Sequence, residues 1–230
     1  DHRDLHSFPT RRSSDLNKTG YTFNGYYTSA TGGAQLIGAD GKIKTLSGYT
    51  DSNRKYVKAL GTTVYPHWTA NKYNITYNAN GGTGTMTTQS NFVYDSVARL
   101  SANAFSNKYT ITYVFNDGST ANQTDNVTRN FLGWNVTSGL NASTAKYGTT
   151  NNPTTAVSTS TILANLVYVK NLTSANNATV TLTAQWGTAV TTTLKKPTRT
   201  GYTFAGWYSD SSCTVKAGDG GATYTPTANT

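Results

Sequence analysis

The sequence has no glutamate, one cysteine, one methionine and three histidines among its 230 residues. A single cysteine, Cys213, excludes an internal disulfide, so no cystine framework staples the chain. No stretch approaches the ~20 consecutive apolar residues of a membrane-spanning helix. Absence of glutamate leaves Asp as the only acid and produces a formal charge of +9, with a sequence pI near 9.5. That balance attracts anionic polymers such as cell-wall polyphosphates, sulfated glycans or nucleic acid. The basic side chains are scattered, however, and only Arg11-Arg12, Arg54-Lys55 and Lys195-Lys196 are adjacent. A nucleic-acid interface needs a clustered basic footprint, so none is expected.

The poverty in reactive groups bounds the chemistry. Outside the first residues the only histidine is His67, and nothing in the sequence places it beside Cys213 as a nucleophile would require. Asp and His never cluster at metal-ligand spacing. No recurring segment carries an acid at an equivalent place, so a glycosidase carboxylate pair finds no support. Cys213 sits in the polar stretch Asp210-Ser-Ser-Cys-Thr, which argues against a Cys–Gln thioester. A Lys–Asn isopeptide bond needs a nearby carboxylate, and acids are few here. The expectation is a chain that is not an enzyme, with no cofactor and no metal.

What the chain has is aromatics, at 12%, and Thr, Ser, Asn and Gly in place of charge. Each aromatic buries roughly 150–250 Å², which at about 25 cal/mol per Å² makes such residues strong anchors for small cores. They recur in a pattern. Phe23-Asn-Gly25-Tyr26, Phe131-Leu-Gly133-Trp134 and Phe204-Ala-Gly206-Trp207 share an aromatic, a glycine two residues on and a second aromatic next. The first and last lie within Gly20–Tyr27 and Gly201–Tyr208, both opening Gly-Tyr-Thr-Phe. Recurrence without a nucleophile or ligand beside it marks a structural unit.

Residues Asp1–Leu16 stand apart. They hold His2 and His6, lack β-patterning and lack the apolar core of a signal peptide. The string resembles the translation of a sequencing adapter and is set aside. From Asn17, Gly20–Tyr27 reads as a strand with Tyr21, Phe23 and Gly25 on one face and Thr22, Asn24 and Tyr26 on the other. A Gly-rich loop through Gly48 follows, then a closing strand, Thr62–Trp68, placed at an edge or kinked by Pro66. Lys72–Asn78 alternates Tyr73, Ile75 and Tyr77 with Asn74, Thr76 and Asn78, the period of a half-buried strand. Asn80-Gly81-Gly82 supplies a turn, and Asn91–Tyr94 its return strand. The same opening recurs at Lys108–Tyr113, with a turn at Asp117-Gly118. Between them Val97–Phe105 is compatible with one or two helical turns, its apolar spacing being too short to decide. Val180, Leu182, Ala184 and Trp186 share a face of a second closing strand, so Trp68 and Trp186 mark unit ends.

These signals divide the chain into a leader (1–16), the rear of a unit (17–70), a half-unit or insertion (71–107), a near-complete unit (108–187) and a truncated unit (188–230). The fold class is mainly β with at most short helices. Two readings of the aromatics are open: buried anchors, with Gly25, Gly133 and Gly206 permitting close approach or a bulge, or exposed rings stacking on sugars. The sequence weighs toward the first.

Tyr73–Gly82, Pro197–Tyr208 and Thr183–Trp186, taken together, resemble the Listeria–Bacteroides repeat, the internalin B-type repeat of bacterial surface proteins. Tyr26 in place of Trp, Pro66-His67 in place of Ala-Gln, and the lack of a Phe-x-Gly-Trp within 73–105 depart from it. The resemblance implies tandem small β-grasp, ubiquitin-like domains on an extracellular protein, at the cell surface or secreted. It implies a stalk, spacer or adhesion role without catalysis, with neighbouring repeats as partners. Alternatives are an adhesin module for host or cell-wall glycans or anionic polymers, and an accessory region of a secreted hydrolase.

Overall fold

A computed structural model describes residues 16–58 and 61–230, so the adapter-like reading falls, but for Leu16, outside the described residues. The chain is mainly β, with several small sheets and no helix among the described residues. In chain order the first strands are β1 (Tyr21–Tyr27), β2 (Gln35–Gly38) and β3 (Tyr65–Ala70). β4 (Lys72–Asn78), β5 (Gln89–Val93), β6 (Val97–Arg99), β7 (Lys108–Tyr113) and the long β8 (Gln123–Ser138) follow. Next come β9 (Lys146–Gly148), β10 (Thr155–Ala156), β11 (Ile162–Leu163), β12 (Tyr168–Lys170) and β13 (Ala178–Ala189). The last are β14 (Thr192–Thr193), β15 (Trp207–Tyr208), β16 (Lys216–Gly218) and β17 (Thr223–Tyr224).

The main sheet runs β11-β8-β13-β4-β5. Its centre is a parallel pair, β4 with β13, in which Val180 stands opposite Ile75 and Leu182 opposite Tyr77. The alternation of Lys72–Asn78 fits this place: Tyr73 and Ile75 are buried while Asn78 is exposed. A second sheet, β10-β9-β12-β6, supplies Ala98, Tyr147 and Val169 to the core that Tyr73, Ile75, Trp134, Val180, Leu182 and Ala184 fill from the main sheet. This pairing crosses the division drawn between 107 and 108, because the parallel partner of β13 is β4 and not β7.

β7 pairs instead with the first part of β8, from Lys108↔Thr128 to Tyr113↔Gln123. Ile111, Tyr113 and Val127 then join Ala189 and Leu194 in a second core, against which Trp207 and Tyr224 pack. β8 therefore serves two cores, Val127 in one and Trp134 and Val136 in the other. β13 does the same, with Leu182 in the first and Ala189 in the second.

Two local expectations are corrected. Val97–Phe105 is not helical: Val97–Arg99 pairs with Tyr168–Lys170, and Ser101 N–H is held by Tyr77 Oη and Gln89 Oε1 at 3.2 and 3.0 Å. Ala98 is half-buried, Arg99 exposed and Leu100 buried, a period-2 pattern that tertiary pairing exploits over a weak helical spacing. The face assignment of β1 also changes. A register shift between Phe23 and Gly25 makes a bulge opposite Trp68 and His67. The extra residue turns Tyr26 to the side of Phe23 and Gly25 to the other. Asn91–Val93 does return along β4, and β3 with Pro66 is an edge strand, in line with proline's missing N–H.

Candidate functional site

The three Phe-x-Gly-aromatic segments share one geometry. In the first, Phe23 packs edge-on against Tyr26 at 5.2 Å between centroids and against Trp68 at 5.1 Å. In the second, Phe131 meets Trp134 at 4.9 Å and Trp186 at 5.5 Å. In the third, Phe204 meets Trp207 at 5.2 Å. Residues spaced by three in an extended strand point to opposite faces, and only an inserted residue brings their rings together. The β8–β13 register confirms the insertion: Trp134 opposes Ala184, Gly133 opposes Gln185, and Phe131 opposes Trp186 after a shift.

Glycine is required at the bulge. Gly25, Gly133 and Gly206 have φ of 114°, 139° and 130°, which side chains rarely adopt. A Cβ on Gly25 would overlap the Ile37 carbonyl oxygen, and one on Gly133 that of Leu163. On Gly206 it would lie 3.1 Å from the Gly218 carbonyl oxygen. Each glycine thus lets a neighbouring strand, β2, β11 or β16, approach on the same side.

Burial differs among the copies. Trp134 is fully buried and can stack on no sugar. Phe23, Tyr26, Trp68, Phe131, Trp186, Phe204 and Trp207 are half-buried. Trp186 donates its indole N–H to the Ala79 carbonyl at 2.9 Å, and Asn80 Nδ2 donates to the Ala184 carbonyl at 2.8 Å. Trp207 donates to the Lys195 carbonyl at 2.7 Å. Tyr113 and Phe115 cover Trp207 at 4.8 and 5.5 Å. Those two were not singled out from sequence; the signal was present, since Tyr-Val-Phe at 113–115 departs from Tyr-Asn-Ala at 77–79 in an otherwise repeated opening.

A groove of about 810 Å³ lies between this third copy and the turn after β7, lined by Val114, Phe115, Asp117, Phe204, Trp207 and Thr230, among others. Asp117 is committed to its own turn. Its carboxylate accepts Thr120 Oγ1 at 2.6 Å and the amides of Thr120 and Ser119 at 2.7 and 2.9 Å, which hold it well below the usual carboxylate range. Cys213, an exposed free thiol, also borders the groove. His67 is elsewhere, stacked on Tyr27 at 4.0 Å with Nε2 against the Ser29 carbonyl. Among the described residues no three of His, Cys, Asp or Glu come together to hold a metal. No helix there is long and apolar enough to cross a membrane.

Residues 17–70 and the main sheet meet through polar contacts. Tyr21 Oη donates to Asp95 Oδ2 at 2.8 Å, Asn171 Nδ2 donates to Asp95 Oδ1 at 2.9 Å, and Lys170 Nζ lies 3.6 Å away. The Asn171 amide above all, with the Tyr21 hydroxyl and Lys170, lowers the pKa of Asp95 below its ordinary value, against the opposing effect of burial.

No curated protein and no solved structure matches the chain. The stretches 9–46 and 166–230 match a known family; they contain the first and third motif copies and Trp186, and the first begins within the segment set aside as leader. Residues 9–46 and 166–230 match the family model of the Listeria-Bacteroides repeat domain, a family found in bacterial surface proteins.

Proposed function

We propose that the chain is a non-enzymatic repeat segment of a bacterial cell-surface or secreted protein, acting as a stalk, spacer or adhesion scaffold. The observation that carries this is how the recurring aromatics are used. In each copy the motif rings pack on one another, and in the second and third copies they also pack into a core, with glycine serving close backbone approach. The units are β-grasp-like, a reading supported by the parallel β4–β13 pair at the centre of a sheet flanked by antiparallel strands. Their departure is that a second sheet, and no helix, covers the core.

Two such units interleave in the chain. One comprises residues 72–106 and 131–186; the other takes its opening hairpin from 108–129 and the remainder from 189–230. Long strands shared by two cores oppose hinge motion between them, which suits a spacer. The test is to place the chain between a wall anchor and an epitope on a bacterial surface. Antibody access to the epitope rises with one and then two inserted copies. Equal access with and without the insert would overturn the spacer reading, and salt-sensitive capture of sulfated glycan would favour the binding role instead.

A further inference from the structure

The second sheet gathers basic side chains that are far apart in sequence. β9 pairs with β12 and β12 with β6, so that Lys146 stands directly opposite Lys170, and Tyr168 opposite Arg99. Tyr147, Val169 and Ala98 alternate with these residues and pack in the first core. By the two-residue period of a strand, Lys146, Lys170, Tyr168, Val97 and Arg99 share the other, outward face. Neighbouring strands lie about 4.8 Å apart, which places the three cations at adjacent positions of one surface. No strand of this sheet contains an acid.

Like charges directly across two strands destabilise a sheet, and little in the fold relieves them here. Asp95 is the one acid paired with the three cations among the described residues, 3.6 Å from Lys170 Nζ. Its two carboxylate oxygens already accept from Tyr21 Oη and Asn171 Nδ2 at 2.8 and 2.9 Å. Lys146 and Arg99 form no ion pair among the described residues. Arg99 Nε donates to the Leu166 carbonyl at 2.9 Å, and the guanidinium lies over the Tyr168 ring at 5.7 Å. These contacts hold the side chain in place and leave the terminal nitrogens of its fork to bind an oxyanion. Apolar surface borders the cations: Val97 is 37% and Leu166 36% exposed, and Ala156, across from Lys146 on β10, is exposed too.

We propose that this face binds a sulfated polysaccharide. Its sulfates meet Lys146, Lys170 and the free edge of Arg99, and the CH-rich faces of its sugar rings lie on Val97, Leu166 and Ala156. A sulfate between Lys146 and Lys170 removes the repulsion that the empty face carries, so charge complementarity selects an anion there. A polyphosphate chain has the charge without ring faces for the apolar border. A nucleic acid needs aromatic rings free to stack on bases, and the Tyr168 ring already carries Arg99. The site goes beyond the spacer reading and does not depend on it: antibody access tests the spacer, glycan capture tests this face, and either can fail alone.

The experiment titrates the whole chain with a fluorescent heparin oligosaccharide as the sulfated probe, at rising salt. Saturable binding is expected. It weakens about tenfold or more in the chain carrying Lys146→Gln and Arg99→Gln, and the slope of log affinity against log salt falls by about two, one for each cation removed. A chain carrying Lys42→Gln and Lys196→Gln loses the same charge elsewhere and keeps its affinity. Lys146→Glu puts an acid opposite Lys170, so its urea midpoint rises while binding falls, a combination that damage to the fold does not produce. Absence of saturable binding overturns the proposal. So does equal weakening by the Lys42 and Lys196 pair, which would make net charge the whole cause. Equal affinity for polyphosphate or duplex DNA, lost in the same variant, would assign the face to any polyanion and overturn the sulfated polysaccharide.

Discussion

The Trp186 indole donates to the carbonyl of Ala79 at 2.9 Å, across 107 residues of chain. This bond ties the closing strand to the turn that follows the opening strand, and Phe131 packs on the same ring. Trp186→Phe keeps a ring and removes the donor, leaving the Ala79 carbonyl to find water. The expected loss is about 1–2 kcal/mol of unfolding free energy, measured by urea denaturation followed through the Trp134 environment. A change within error would mean that the bond contributes nothing net.

Trp134 is the largest fully buried side chain, in contact with Tyr77, Phe105 and Phe131. Trp134→Ala should cost about 3–5 kcal/mol, the range for removing a buried aromatic from a core. Thermal melts of the variant should show the main-sheet transition shifted down.

The bulge glycines and the turn glycines differ in kind. Gly133→Ala meets both a φ of 139° and the Leu163 carbonyl, whereas Gly118 at φ 76° faces open space. Gly118→Ala carries only the backbone strain of about 1–2 kcal/mol, and Gly133→Ala should exceed it clearly. Equal costs in denaturant titration would contradict the close-approach role.

At the junction of residues 17–70 with the main sheet, Gly20 has φ 79°, and a Cβ there would overlap the Tyr94 ring. Gly20→Ala should speed hydrogen exchange in β1 and leave β4 unaffected.

Asp95 makes the same junction pH-dependent. Its native value lies below the ordinary 3.8, chiefly through the Asn171 amide. A carboxylate with a depressed native value stabilises the folded state above its unfolded value, and that contribution is lost as pH falls through the native one. An NMR titration should place the Asp95 midpoint below 3.8, and Asp95→Asn should remove the acid sensitivity of the Tyr21 contact. A midpoint at the ordinary value would contradict the hydrogen-bonded geometry.

Much of this was legible in the sequence because local rules and tertiary needs agree there. The alternation of Lys72–Asn78, the Asn80-Gly81 turn with φ of 48° and 76°, and the edge position of Pro66 all follow from residue type. Tyr26 was assigned to the wrong face because periodicity assumes an uninterrupted strand, and the bulge breaks the count. Val97–Phe105 stayed undecided between helical turns and other structure because Tyr168–Lys170, the partner of Val97–Arg99, lies far along the chain. The short strands β9–β12 sit in Thr- and Asn-rich sequence whose order comes from packing Val157 and Val169 and not from propensity. The interleaving escaped for the same reason: two nearly identical openings, β4 and β7, compete for β13, and sequence alone favours the nearer one.

Native-state hydrogen exchange on the chain carrying Ile111→Ala tests the interleaved repeat most directly. Ile111 lies in the second core with Leu194, Trp207 and Tyr224 packed around it. Exchange should accelerate in Thr192–Tyr224, far along the chain, while the amides of Ile75 and Val180 keep their protection. Acceleration confined to residues 131–186, with Thr192–Tyr224 unchanged, would show that the 108–129 hairpin belongs to the first core and would contradict the account.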